Sequence, residues 1–105
     1  MNNMKNNGGK MVVEITSRHE NLSQDMRDYI ESEIERISKV YDRIVDIHVI
    51  LDKQAHSQYG VEIIINVPNK QLVIKQEEDE QTKAIDEAVE KMVRQMKKYK
   101  EKLRQ

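Results

Sequence analysis

The sequence predicts an α+β fold: a two-layer sandwich in βαβββα order, one four-stranded sheet with two helices packed on one of its faces. Three observations carry this. The runs "IVDIHVILD" (44–52), "YGVEIIINV" (59–67) and "QLVIKQ" (71–76) alternate with period two, as strands with one buried face do. Two longer stretches place apolar residues at steps of three and four, as helices with one buried stripe do. Every apolar face is one-sided, so each layer needs the other as cover.

In chain order, "MNNMKNNGGK" (1–10) carries no hydrophobic run and reads as a disordered leader, with Met4 and Met11 as alternative starts. Residues 11–105 then form a single domain. "MVVEITS" (11–17) is short, β-branched and alternating, a first strand. "RHENLS" breaks the pattern, and Ser23 is the expected N-cap of the first helix. In that helix Met26, Ile30, Ile34, Ile37 and Tyr41 form the stripe, with Tyr29 and Val40 flanking it. Strand two points Val45, Ile47, Val49 and Leu51 inward, and strand three points Val61, Ile63, Ile65 and Val67 inward. Pro68-Asn69-Lys70 is a turn signal, so strand four returns as a hairpin partner. A last helix from near Glu80 to Arg104 carries Ile85, Ala88, Val89, Met92, Met96, Tyr99 and Leu103 on one side. At about 37 Å it is longer than the sheet needs, so its carboxyl end is expected to project.

Composition narrows the function classes. Hydrophobic residues make up 37% and charged residues 35%, enough for one core built without Trp or Phe. The absence of Cys removes disulfides, thiolate zinc sites and a Cys nucleophile, and fits a reducing cytosol. No stretch approaches the roughly 20 apolar residues of a membrane span, so a cytoplasmic location is expected.

The net charge of −1 conceals a strong polarity. "QEEDEQTKAIDEAVE" (76–90) holds seven acids against Lys83. From Lys91 onward, Arg94, Lys97, Lys98, Lys100, Lys102 and Arg104 join it against Glu101 alone. On a helix, Lys91, Arg94, Lys98 and Lys102 cluster about 130° from the apolar stripe, with Lys97 further round. Such a stripe matches nucleic-acid phosphates. The same distribution also complements the helix dipole, so charge alone leaves both readings open. On the first helix Arg27, Arg36 and Lys39 sit among Glu31, Glu33 and Glu35, a weaker signal.

His19, His48 and His56 fall on a loop, a strand and another loop without metal-ligand spacing, so no metal is expected. Arg18 and His19 follow the first strand and are candidates to touch RNA, although a solvated loop accounts for them better. Ile50, Ile64 and Val73 point away from the helices and could form a docking patch. Tyr29, Tyr41 and Tyr99 lie on core-facing stripes, which favours packing over base stacking. Two alternatives share the fold: a generic double-stranded-RNA module, and a small acylphosphatase-like hydrolase. Against the hydrolase, no strand follows the last helix and no Gly-rich anion loop precedes the first.

"AIDEAVEKMV" followed by "RQMKKYKEKL", together with "EITSRHENLSQDMRDYI" and "VYDRI" in the same order, closely resembles the short ribosome hibernation-promoting factors and ribosome-associated inhibitors of the sigma-54 modulation protein family. The resemblance covers essentially all of 11–105 and implies the fold reached above, which is like that of a double-stranded-RNA-binding domain. It implies a monomeric, non-enzymatic factor without cofactor or metal. Such a factor binds the 16S rRNA of the small ribosomal subunit, and the whole ribosome, in the channel used by mRNA and the A- and P-site tRNAs. It blocks translation and preserves idle ribosomes under stress or in stationary phase. Carried over by position, Arg27, Arg36, Lys91, Arg94, Lys98, Lys100 and Lys102 are the implied rRNA contacts, with Lys97 and Arg104 as additions. Ending just after the last helix, as short members do, implies single ribosomes as targets. Departures from the pattern are Glu33 and Asp52 where basic residues are usual, Thr82 where an aromatic is usual, and the acidic "QEEDEQ".

Overall fold

A computed structural model describes residues 11–55 and 57–104. The elements are β1 (Val12–Ser17), α1 (Gln24–Ser38), β2 (Asp46–Gln54), β3 (Gln58–Val67), β4 (Lys70–Glu78) and α2 (Gln81–Leu103), the expected βαβββα order. The strands form one sheet in the order β1-β2-β3-β4. β1 pairs parallel to β2, because the chain crosses over through α1 between them. The β2–β3 and β3–β4 pairs are antiparallel, joined by short connections. The leader expected at residues 1–10, together with His56 and Gln105, lies outside the described residues.

Local chemistry explains the boundaries. Ser23 is extended (φ −69°, ψ 158°), and its hydroxyl accepts the Met26 N–H at 3.1 Å, capping α1 as expected. Val67 pairs with Lys70 across Pro68 and Asn69. Pro supplies the negative φ of the first turn position, and Asn69 adopts φ 67° at the second, a type II pattern.

The core sits between the layers. Ile47, Val49 and Leu51 of β2, Val61, Ile63, Ile65 and Val67 of β3, and Leu72 of β4 are buried on one sheet face. Against them lie Ile30, Ile34 and Ile37 of α1, and Ile85, Ala88, Val89, Met92 and Met96 of α2. Each larger side chain contributes about 2 kcal/mol of hydrophobic stabilisation. No buried residue is polar or charged among those described. Ala84, which the stripe omitted, is also buried, one turn before Ala88.

Two expected core positions are corrected. Val45 is 50% exposed, since it precedes β2 at the sheet rim, where neither helix covers it. Leu103 is 54% exposed, because the last turn of α2 overhangs the sheet. The helix projects there, but only there, since Met96 is buried and Tyr99 half-buried. Among the described residues no helix is long and apolar enough to cross a membrane.

Candidate nucleic-acid interface

Among the described residues, α1 and the residues just after it meet α2 at three polar points. The Tyr29 hydroxyl donates to Asp86, the Arg36 guanidinium to Glu90, and Lys100 Nζ to the Val40 carbonyl at 3.1 Å. The pairs advance together along both chains, so α1 and α2 run roughly parallel. Arg36 also bonds Glu33 at 3.0 Å, and beside Arg36 the Glu90 carboxyl is held below the usual carboxylate range. Arg36 and Lys100, two of the expected RNA contacts, thus clamp the helix pair. Arg27 is half-buried two residues before Tyr29, level with Asp86 at the other end of α2 from Lys98.

The Tyr29 pKa is raised from 10.0 to about 12, first by its hydrogen bond to Asp86 and then by burial. Tyr29→Phe keeps the ring but leaves Asp86 without this donor. A loss of about 1 kcal/mol of unfolding free energy is expected near neutral pH, read from urea titrations. Because the folded pKa lies above the unfolded one, the contribution is complete below pH 10.0 and fades as pH rises through about 12. Wild type and variant should therefore converge in strong alkali.

The α2 stripe lies elsewhere on the helix. Lys91, Arg94, Lys98 and Lys102 are all exposed and span an arc of about 80°. Asp86 and Glu90 project toward α1, on the other flank, and Lys97 lies on that flank, seven residues beyond Glu90. Among the described residues none of these five cations makes a hydrogen bond or ion pair. Three of the four acids of α2 are instead engaged within the fold, while Glu101 in its last turns is exposed. Asp86 and Glu90 serve α1, while Glu87 accepts from Gln76 of β4 at 3.1 Å. The Gln76 amide also donates to Glu78 at 2.8 Å, and Lys83 lies 3.6 Å from that carboxylate. The neighbouring Glu78 carboxylate, followed by burial, pushes the Glu87 pKa up.

The remaining candidates fall outside this surface. His19 and Arg18 both approach Asp52, at 2.6 and 3.7 Å, so the acid at that departure position is met by two loop side chains. His48 contacts Thr16 Oγ1 at 3.0 Å on the open sheet face. Ile64 pairs with His48 on one side and Val73 on the other; Val73 is exposed, Ile50 and Ile64 half-buried. His56 is outside the described residues, among which no group of His, Cys, Asp or Glu could hold a metal ion. Periodicity also missed Lys70 and Arg43. Lys70 Nζ sits 6.0 Å above the Tyr99 ring, and Tyr99 meets Tyr41 edge-on at 5.4 Å. Only the basic residue closing the Pro-Asn turn hinted at the first of these.

The family model described as Sigma 54 modulation protein / S30EA ribosomal protein matches residues 13–104, from β1 to the end of α2. A ribosome hibernation promoting factor of Pseudomonas putida is 34% identical over 92 residues, covering 88% of this chain and 89% of that protein. One from Azotobacter vinelandii is 32% identical, covering 88% and 85%. Among solved structures, a ribosomal subunit interface protein from Coxiella burnetii superposes with a TM-score of 0.79 at 26% identity, covering 86% of this chain and 98% of that one. The match takes in the whole sandwich and the helix that carries the stripe, and the chain belongs to the Sigma 54 modulation protein / S30EA ribosomal protein family.

Proposed function

We propose that this chain is a cytoplasmic ribosome hibernation factor. It binds as a monomer to the 16S rRNA of the small subunit, alone or within whole ribosomes, and occupies the channel of mRNA and the A- and P-site tRNAs. Translation is blocked, and idle ribosomes are preserved under stress or in stationary phase. The chain performs no catalysis in this role. The observation that carries the reading is the exposed, unpaired line Lys91, Arg94, Lys98 and Lys102, with Asp86, Glu87 and Glu90 of the same helix engaged by α1 and β4. Lys97 adds a cation beside it, Arg36 and Lys100 reach RNA only from the helix pair they brace, and Arg27 stands half-buried at the far end of that pair. The relatives' names, hibernation promoting factor and subunit interface protein, point to the same partner.

Co-sedimentation with purified small subunits across a salt series tests it. Four to five phosphate contacts give a slope of log affinity against log salt of about −3 to −4. Binding that ignores salt would remove the phosphates from the mechanism. Capture of free RNA duplex without any preference for subunits would instead favour a generic duplex-binding module.

Glu87 provides a finer check, since it stands one turn ahead of Lys91 on the same side of α2. Glu87→Gln keeps an acceptor for Gln76 and removes a negative charge from the head of the stripe. Affinity for subunits should rise about two- to threefold at low salt, and the gain should vanish at high salt. Unchanged affinity at low salt would place that end of α2 outside the contact.

A further inference from the structure

The end of α2 is better organised than a fraying helix terminus. Met96 is buried, and the Tyr99 hydroxyl donates to the Pro68 carbonyl in the β3–β4 turn at 3.4 Å. Lys100 Nζ reaches Val40 just after α1. Three segments distant in sequence therefore meet here: the turn, the α1–β2 connection and the last turns of α2. Each brings a cation. Lys70 comes from the turn, with its ammonium over the Tyr99 ring. Arg43 comes from the connection, two residues beyond Tyr41, whose ring meets Tyr99 edge-on at 5.4 Å. Lys98 immediately precedes Tyr99 and belongs to the stripe.

Lys39, Arg43 and Lys70 are exposed and form no ion pair among the described residues. The acids nearest in sequence, Asp42 and Glu101, are exposed and pair with none of them. The Tyr41–Tyr99 contact holds the segments in place from beneath, with both rings half-buried. Like charges gathered by packed elements, with no acid closing on them, have unrelieved repulsion in the free protein. A polyanion relieves it. Lys70, over the Tyr99 ring, and Arg43, two residues beyond Tyr41, thus stand at the helix position that follows Lys98 of the stripe.

We infer that Lys70 and Arg43 form a second phosphate-binding group that continues the α2 stripe around the end of the molecule and holds the backbone of the same RNA strand. The inference rests on the nucleic-acid reading above and adds a contact from the turn and the connection, which no helix-based account contains. Tyr99 acts here as a positioning residue.

The test is the salt dependence of small-subunit binding by K70Q/R43Q, beside wild type and the charge-keeping K70R/R43K. The neutralised variant should bind about tenfold more weakly at moderate salt, with its slope shallower by about 1 to 2. The charge-keeping variant should match wild type, which separates lost charge from lost packing. Equal affinity and slope in K70Q/R43Q, with wild type still salt-sensitive, would overturn this inference and leave the nucleic-acid reading standing. Weaker binding with an unchanged slope would place an acidic protein surface at this end and overturn it equally. Wild type that fails to bind subunits at all would overturn both.

Discussion

Replacing Arg94, Lys98 and Lys102 together by Glu should abolish co-sedimentation with the small ribosomal subunit. Three lost phosphate contacts weaken affinity by roughly a hundredfold at moderate salt, and three new negative charges against the backbone carry the loss beyond a thousandfold. The fold should survive. All three side chains are exposed and unpaired, and Glu is nearly as good a helix former as Lys or Arg. One cost is predictable: Lys102 lies in the last turn of α2, where an acid opposes the helix dipole by about 0.5 kcal/mol. Circular dichroism should therefore show native helix content with slightly earlier melting. Native spectra combined with undiminished pelleting would remove this side of α2 from the mechanism.

The second large effect concerns stability. Ile65 is fully buried at the middle of the sheet, opposite Ile47 on β2 and Leu72 on β4, beneath the helices. Ile65→Ala removes three carbons from a site the neighbours cannot refill, at a cost of roughly 3–4 kcal/mol. A domain of this size has only about 5–15 kcal/mol in total, so the variant should sit near the edge of folding. Ile64→Ala, one position away on the open face, should cost under about 1 kcal/mol. The contrast isolates the pleat: adjacent residues of the same type differ because their side chains point to opposite faces. Similar urea midpoints for the two variants would contradict the inward register of β3.

Much of this architecture can be read in the chain because burial is one-sided. Where one face packs and the other meets solvent, the period of apolar residues names the element, as Val61, Ile63, Ile65 and Val67 do. The same rule fails at the margins. Val45 and Leu103 continue their periods past the point where another layer covers them, and periodicity carries no information about where cover ends. The α2 stripe is likewise legible, since helix geometry converts spacing into a direction. What spacing cannot convey is which charges are already engaged. Arg36 and Lys100 look like their neighbours on a helical projection, yet their partners Glu90 and Val40 lie 54 and 60 positions away. The fate of the acids around the stripe was hidden for the same reason. So was the meeting of Lys70 and Arg43 at Tyr99, which exists only once three separate segments pack.

The parallel pairing of β1 with β2 has a kinetic consequence. β2, β3 and β4 are chained by short connections, so their contacts close early at little entropic cost. Val12 meets Asp46 only after roughly thirty intervening residues have been brought to order, α1 among them. β1 is therefore expected to join last and to leave first. It is also an edge strand, with Val12 exposed and Val13 and Ile15 only half-buried. Its amide hydrogens should exchange through local opening, while those of Ile63 and Ile65 wait for global unfolding. α2 is seated mainly over β3 and β4, the strands expected to open last, and against α1. The basic surface thus belongs to the most persistent part of the molecule, and a chain that has transiently shed β1 still presents it intact.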